Sequence, residues 1–178
     1  MTNFFTADTH FGHSNIIKYC GRPFDDKYDH DETLIQNWNS VVSKNDHVYH
    51  LGDFGFGPSW YLKKIAQRLN GKIHLLKGNH DKTKTLKDLS FRFVFIKDVH
   101  FYKTTFRGSK IEIFLSHYAH RSWPKSFHGS WHLFGHSHSN LEPYYRSFDV
   151  GVDCWNFTPI SLAQVQEKMD DLESDIGV

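Results

Sequence analysis

Residues 47–81 read HVYHLGDFGFGPSWYLKKIAQRLNGKIHLLKGNHD, and their pattern indicates the fold class. Its two ends, His47–Leu51 and Lys72–Lys77, are short β-type runs. Between them, Pro58–Asn70 has a helical pattern, in which proline suits the first turn and Gly71 ends the helix. Two strands joined through a helix indicate an α/β fold.

Six further β-type runs surround this unit, and their lengths and their Val, Ile, Phe and Tyr content favour strands. They are Asn3–Ala7, Arg92–Val99, His100–Phe106, Lys110–Ser116, Ser130–Phe134 and Phe148–Val152. Helical patterns follow Asp31 and Pro159, and Arg107–Lys110 predicts a hairpin turn. Early strands alternate with helices, whereas later strands follow one another directly. The sequence therefore predicts a mixed α/β fold, with a double β-sheet sandwich flanked by helices and mixed sheets.

The composition predicts one cytoplasmic domain over residues 1–178. The formal charge of +1 gives no broad attraction to nucleic acid or to an anionic membrane, although a local basic patch stays open. Cys20 and Cys154 are too few for a secreted disulfide framework, and the N-terminus lacks a signal-peptide pattern. We expect both thiols to be reduced. The longest apolar runs are far shorter than the roughly 20 residues of a membrane span, which excludes one.

The chain has 14 histidines, and imidazole is both a common metal ligand and an acid–base catalyst. Side chains of the metal-binding types come directly after the predicted strands. They are Asp8, His10, Asp53, Asn79, His80, His117, His136 and His138. Ligands of open α/β sheets bind beyond the carboxyl ends of strands, so we expect these loops to converge at one edge. Residues two apart on an extended segment point the same way, so Asp8 and His10 are expected to reach one ion. The same holds for His136 and His138.

The ligand types predict hydrolysis by two divalent ions rather than a structural zinc site. Structural zinc usually has thiolate ligands, whereas this set has two carboxylates, one amide oxygen and several imidazoles, which suits manganese, iron, zinc or a similar metal. Asp8, Asp53 and a bridging hydroxide would leave two divalent ions with a net positive charge for a phosphate. The adjacent Gly52, Gly78 and Gly135 are expected to allow tight turns where a Cβ would obstruct the approach to metal.

These motifs resemble those of the calcineurin-like metallophosphoesterases. The family's five blocks appear in order as Asp8-Thr9-His10, Gly52-Asp53, Gly78-Asn79-His80-Asp81, His117 and Gly135-His136-Ser137-His138. The stretch DTHFGHSNII at 8–17 is similar to a small subgroup found in bacteria and phages. The resemblance implies an α/β/β/α sandwich with helices outside two sheets, which agrees with the strand and helix pattern.

The resemblance also implies two bound divalent metal ions. Manganese is the first expectation, with iron, zinc, nickel, cobalt and magnesium as alternatives. The implied ligands are Asp8, His10 and His138 for one ion, Asn79, His117 and His136 for the other, and Asp53 as the bridge. A hydroxide bridging the ions would attack phosphorus in line. His80 is assigned to protonate the leaving oxygen, and Asp81 either orients His80 or caps a helix.

The second block departs from the family's phosphoprotein phosphatases, which have a further aspartate and arginine there. This chain continues with Phe54-Gly55-Phe56-Gly57, so we do not expect activity on phosphoproteins. Five residues outside the blocks are candidates for contact with substrate, with ordinary surface roles as the alternative. They are His13, Asn15, Arg22, His120 and Arg121.

Three classes of function follow from these observations. The first is a phosphatase or phosphodiesterase acting on a nucleotide or another small phosphate ester. The second is a nuclease acting on RNA or DNA, which needs a basic or aromatic track beyond the metals. The third is a noncatalytic metal-binding interaction module, which the retained Asn79 and His80 argue against. Nucleic acid therefore remains an open but less favoured partner, no membrane partner is expected, and the oligomeric state stays open.

Overall fold

The first sheet contains both strands of the 47–81 stretch. In the computed structural model, which describes residues 1–175, its strands are β1 (Asn3–Thr6), β2 (His47–His50), β3 (Lys72–Leu76), β4 (Phe93–Lys97) and β9 (Ile160–Ser161). Their order is β4-β3-β2-β1-β9, with β1 to β4 parallel and β9 antiparallel to β1. The sequence pattern does not predict β9, because two residues are too few to show alternation. Positions 176–178 of the predicted domain lie outside the described residues.

The second sheet has four strands, and the sequence pattern predicts all of them. They are β5 (Val99–Phe106), β6 (Ser109–Ser116), β7 (Trp131–Phe134) and β8 (Ser147–Asp149), in that order. β5 and β6 form an antiparallel hairpin, and β7 is parallel to both β6 and β8. The hairpin turn is at Arg107 and Gly108, whose φ angles of 49° and 84° fit a two-residue type I′ turn. Both sheets are mixed, which confirms the predicted fold class.

Five α-helices accompany the sheets in residues 1–175. They are α1 (Ser14–Tyr19), α2 (Lys27–Val41), α3 (Ser59–Arg68), α4 (Thr83–Leu89) and α5 (Leu162–Asp175). Asp26 caps α2 by accepting hydrogen bonds from the amides of Tyr28 and Asp29. α3 begins directly after Pro58, as the pattern predicts. The helix predicted from Pro159 begins instead at Leu162, because β9 comes first. α1 and α4 are too short to show an apolar stripe.

Two layers of buried apolar side chains hold the sheets in place. On the outer face of the first sheet, Trp38 of α2, Leu62 of α3 and Ile73 of β3 belong to one cluster. Between the sheets, Phe5 of β1, Leu115 of β6 and Met169 of α5 belong to a second cluster. Burying each such side chain contributes about 1.5–3 kcal/mol. The strands are therefore firmly placed, and the loops at their carboxyl ends start from fixed points.

Two predictions from composition can be compared with the structure directly. In residues 1–175, no helix is both long and apolar enough to cross a membrane. Cys20 and Cys154 are free thiols, as expected for a chain without a disulfide framework.

Candidate metal centre

Loops at the carboxyl ends of β1, β2, β3, β6 and β7 bring the predicted ligands together in two groups. In each group the potential ligand atoms lie within 4.8 Å of one another. The groups are Asp8 with His10 and His138, and Asp53 with His117 and His136. Asn79 joins the second group, since its Oδ1 lies 3.0 Å from Nε2 of His117. All seven residues predicted as metal ligands therefore lie in one cluster at one edge of the sheets.

Asp53 belongs to the second group and also faces the first. Its Oδ2 is 3.5 Å from Nε2 of His10 and 3.6 Å from Nε2 of His117. Its other oxygen, Oδ1, accepts a 2.8 Å hydrogen bond from the backbone amide of His80. One carboxylate oxygen thus faces both groups while the second oxygen fixes its orientation.

The backbone of this cluster is in an uncommon conformation. The φ angles are 57° at Asp8, 48° at His10, 57° at Asp53, 69° at His136 and 47° at His138. Left-handed conformations cost non-glycine residues of order 1–3 kcal/mol each, and they concentrate at functional sites. The expectation of extended segments is therefore wrong. Asp8 and His10 share a group even so, but His136 and His138 lie in different groups.

Glycines beside the ligands leave room for ligand side chains. At Gly52, where φ is 99°, an added Cβ would lie 2.5 Å from Nδ1 of His117. At Gly135, it would lie 2.7 Å from Oδ2 of Asp8. Any larger residue at either position would displace a residue of the cluster, in agreement with the expected need for glycine there.

Several acceptor atoms in the cluster face one another without a donor between them. Nδ1 of His117 donates to the carbonyl of Leu51 at 2.8 Å, so its Nε2 presents a lone pair toward the Asn79 oxygen. Within the described residues, Nε2 of His10 and Oδ1 of Asp8 are buried without a hydrogen-bond partner. Buried polar atoms are nearly always paired. A cation fits these lone pairs, so this donor set suits divalent metal ions.

The electrostatics of the cluster favour a cation as well. Burial raises the pKa of Asp8 well above its usual value, and the nearby carboxylates of Asp149 and Asp53 raise it further. Burial and the charge of Arg22 lower the pKa of His10. The imidazole therefore stays neutral and keeps the lone pair that a metal ligand requires. A divalent ion would offset the crowding of negative charge that Asp8 experiences.

The buried ion pair between Arg22 and Asp153 orients the His138 ring. Nδ1–H of His138 donates to Oδ2 of Asp153 at 2.7 Å. Arg22 donates to both oxygens of Asp153, from Nε and from Nη2, each at 2.8 Å. Burial acts to raise the pKa of Asp153, but the hydrogen bonds from His138 and Arg22 lower it overall. This arrangement leaves Nε2 of His138 as the ring nitrogen available to a metal.

Arg22 is a predicted substrate contact, but the structure places it behind the cluster, where only 4% of its surface is exposed. Besides its two bonds to Asp153, it donates to the carbonyls of Asp8 at 2.8 Å and Thr9 at 3.3 Å. Its remaining N–H donates to Nε2 of His30 at 2.8 Å. All five guanidinium hydrogens therefore have protein acceptors, and none is left for a ligand in the cleft.

Asp81 differs from its predicted roles. Its carboxylate accepts hydrogen bonds from the backbone amides of Asp53, Phe54 and Gly78 at 2.8, 3.0 and 2.9 Å. In the described chain it neither contacts the His80 ring nor caps α4, whose N-cap is Lys82. Burial raises the pKa of Asp81 to about 7, even though these hydrogen bonds act to lower it. Asp81 therefore ties the loop after β2 to the loop after β3.

Two predicted residues, His80 and His13, lie at the open side of the cluster. Each ring centroid is 5.4 Å from the ring centroid of His10. His13 also packs against the exposed ring of Phe56, at 4.6 Å between centroids. Both residues can therefore meet a molecule that approaches the cluster.

Three other residues are predicted to contact substrate. Within residues 1–175, the structure shows none of them in contact with a predicted metal ligand. Asn15 is exposed in the first turn of α1. The His120 ring lies 5.2 Å from the Phe114 ring, and the Arg121 guanidinium lies 5.8 Å from the Tyr144 ring. The structure therefore supplies no geometric reason to assign these three to the site.

Two carboxylates near the cluster were not among the sequence candidates. Asp153 holds His138, and Asp149 accepts 2.6 Å hydrogen bonds from the Ser137 hydroxyl and the Gly151 amide. Both lie at or just after the end of β8. Asp153 follows the predicted strand Phe148–Val152 directly, so the same strand-end pattern points to it, whereas Asp149 lies within that predicted strand and gives no such signal.

Comparison with known proteins identifies proteins of similar sequence and a solved structure of similar fold. No family model matches the chain. The uncharacterized protein MJ1445 of Methanocaldococcus jannaschii is 36% identical over 165 residues, covering 88% of this chain and 84% of that protein. The Gene 66 protein of Mycobacterium phage L5 is 27% identical over 208 residues, covering 100% of this chain and 99% of that protein. The crystal structure of the protein of unknown function AQ665 from Aquifex aeolicus has a TM-score of 0.66, with 24% identity over 93% of this chain and 98% of that one. This last likeness concerns the fold alone.

Proposed function

This chain belongs to the same protein family as MJ1445 of Methanocaldococcus jannaschii. From the residues of its own site, we propose that it hydrolyses a phosphate ester with two divalent metal ions. We further propose that it is a calcineurin-like metallophosphoesterase of the small bacterial and phage type. The five motif blocks and the two-sheet sandwich support this assignment. The inner core that joins both sheets supports treating residues 1–178 as one domain.

The observation that carries the proposal is the position of Asp53, which belongs to one group of potential ligands and also faces the other. Its Oδ2 faces His10 at 3.5 Å and His117 at 3.6 Å, and each histidine belongs to a different group. A single carboxylate oxygen between two sets of lone pairs suits a bridge between two cations. The buried, unpaired Oδ1 of Asp8 adds a further ligand atom.

The proposed ligands follow from these groups. Asp8, His10 and His138 hold one ion, Asn79, His117 and His136 hold the other, and Asp53 is shared. When bound, two divalent ions supply positive charge for a phosphate oxygen and lower the pKa of water. Manganese is the first candidate for this mixed set of oxygen and nitrogen ligands.

The protein's own contribution is orientation and proton transfer. Asp153 holds the His138 ring, Leu51 holds the His117 ring, and Asp81 fixes the loop that carries Asp53. His80 is not in either ligand group, and its ring lies beside His10 at the open side. We assign an imidazole N–H of His80 to protonate the leaving oxygen, which typically contributes about 10²–10⁴-fold.

The proposed substrate is a small phosphate ester such as a nucleotide, and both mono- and diesters are candidates. The near-neutral charge of the chain gives a long polyanion no general attraction. The complete ligand set argues against a noncatalytic module, which would not need His80 placed beside the metals.

Hydrolysis by metal-defined protein tests this function. Wild type, Asp53→Asn and the control Asp88→Asn should be loaded with Mn²⁺ and assayed on phosphomonoesters, linear and cyclic diesters, and single-stranded RNA and DNA. Asp88 is exposed on α4, so its variant should match wild type. Asp53→Asn should lose metal at both positions together with most activity. Loaded wild type that hydrolyses no ester would refute the function, and preference for the RNA or DNA strands would support a nuclease instead.

A further inference from the structure

We propose that the cavity beside His80 is the subsite for the leaving group and that it takes a nucleobase, stacked on Phe56. This inference rests on the proposed hydrolysis of phosphate esters and names its substrate class as nucleotide esters. The cavity has a volume of about 200 Å³. It is lined by Gly55, Phe56, Gly57, His80, Lys82 and Thr85.

The position of the cavity identifies which part of the substrate it meets. His80 lines it, and the backbone amide of His80 bonds to Asp53 between the two ligand groups. A phosphate held at the proposed metal centre would therefore have its leaving group directed past His80 toward this cavity. The attacking oxygen would lie on the opposite side of phosphorus from this cavity, because an in-line displacement places the attacking and leaving atoms on opposite sides.

The size of the cavity limits the occupant to a fragment. Pockets that hold a whole drug-sized ligand occupy about 300–1,000 Å³, so this cavity suits one ring system. Phe56 supplies the one apolar side chain among the lining residues, whereas an acyl chain would need several. Gly55 and Gly57 present backbone groups instead of side chains, which suits a flat ring with polar edges.

The ring of Phe56 is held as a stacking surface. His13 packs against it at 4.6 Å between centroids with a 37° angle, and the His80 ring meets it edge-on at 5.7 Å. The side chain is nevertheless 38% exposed, so part of the ring is accessible to a ligand. Aromatic rings of this kind bind nucleobases through their faces.

Lys82 adds positive charge to the same subsite. Its Nζ lies 4.9 Å from the centroid of the Phe56 ring, within the range of a cation–π contact. Thr85, whose side chain carries a hydroxyl, also lines the cavity. An ammonium, a hydroxyl and an aromatic face together match a heteroaromatic base with acceptor atoms on its edge, rather than a purely apolar ring.

Equilibrium binding of analogues that cannot be hydrolysed tests this subsite independently of catalysis. The probes are the phosphonate analogues of AMP and of ribose 5-phosphate, in which a methylene replaces the ester oxygen and prevents hydrolysis. Metal-loaded wild type should bind the base-bearing analogue about 10-fold or more tightly than the ribose analogue, from stacking of one base. Phe56→Leu should abolish the difference, and Phe56→Trp should keep it.

Phe91→Leu is the matched control. Phe91 is also an exposed phenylalanine with a lysine over its ring, since Nζ of Lys63 lies 5.2 Å away, but it does not line the cavity. Its variant should keep the wild-type preference. Equal binding of the two analogues by wild type, no binding of the base-bearing analogue, or a preference that survives in Phe56→Leu would overturn the subsite. Hydrolysis of esters without a base would leave the proposed function standing in each of these cases.

Discussion

Asp153 Oδ2 lies 2.7 Å from Nδ1 of His138, and both side chains are largely buried. The contact fixes which nitrogen of the imidazole carries the hydrogen, because an ionised carboxylate only accepts. Nε2 of His138 is then left facing the group formed with Asp8 and His10. Asp153 would therefore act on the proposed metal centre through His138, by orienting that ring.

Replacing Asp153 should weaken metal binding without removing a proposed ligand. Asp153→Asn can still accept a hydrogen bond but loses the charge that favours one tautomer, so we expect metal affinity to fall about 10- to 100-fold. Calorimetric titration of metal-free protein with Mn²⁺ measures both the affinity and the number of ions. The loss should affect one ion per chain. Unchanged affinity for both ions would show that Asp153 does not orient a ligand.

Arg22→Met should destabilise the metal-free protein. The substitution leaves Asp153 buried without its counter-charge, which costs about 3–5 kcal/mol in the free energy of unfolding. Arg68→Met is the control, since Arg68 pairs with Glu32 at an exposed site where ion pairs contribute about 0–1 kcal/mol. Urea unfolding of both variants measures the difference. A raised KM with unchanged stability would instead support the predicted contact between Arg22 and substrate.

The loops that bear the proposed metal ligands were predictable, because their residues follow strands that a short apolar pattern reveals. Asp53 and Asn79 lie just past β2 and β3, and parallel strands bring their carboxyl ends to one edge. The left-handed backbone at Asp8 and His10 was not predictable from residue type, since aspartate and histidine adopt it only when surrounding loops impose it.

The network behind the ligands could not be read from local sequence. Arg22 and its partner Asp153 are 131 residues apart, so no spacing rule connects them. An arginine near a predicted anion site is ordinarily a candidate for the anion, which is why Arg22 is predicted to face substrate. Only the fold shows that β8 brings a carboxylate behind the cluster. The role of Asp81 could not be read from local sequence either, because its three amide donors come from two different loops.

A histidine far from the cluster should make stability depend on pH. His74 lies in β3, where Nε2 is 2.7 Å from Nδ1 of His47 and the ring stacks on Tyr49 at 4.6 Å. Burial lowers the pKa of His74 to about 4, and nearby positive groups contribute. The titratable groups around it are His47, Tyr49, Lys72, Lys97 and His100.

Because the folded pKa of His74 is below the unfolded value, the unfolded chain binds more protons at mildly acidic pH. Its contribution to stability is therefore complete above about pH 6.5, falls as pH drops toward about 4, and levels off below that. We expect the free energy of unfolding to fall by about 1–2 kcal/mol over this range. This is less than the full pKa difference would give, because the neighbouring His47 is partly exposed and water screens the interaction. Urea unfolding between pH 4 and 8 should show a shallower slope for His74→Phe than for wild type. The exposed-site control His128→Gln should keep the wild-type slope, and an unchanged slope in His74→Phe would contradict the assignment.

His80→Ala should separate proton transfer from metal binding. The variant should keep both ions and lose more activity on an alkyl or ribose ester than on an activated aryl ester, whose leaving group needs little protonation. Rates on the two esters and the metal content are measured on the same protein samples. Equal losses on both esters would argue against general acid catalysis, and loss of metal would make His80 a ligand or a structural support.

The dependence of hydrolysis on bound metal is the decisive test of the proposed two-metal site. Protein stripped of metal, with the absence of metal verified by elemental analysis, is titrated with Mn²⁺ while phosphate-ester hydrolysis and bound metal are followed together. We predict no hydrolysis at the start and a rate that rises until two ions per chain are bound. A full rate in metal-free protein, or two bound ions with no hydrolysis of any ester, would contradict the account.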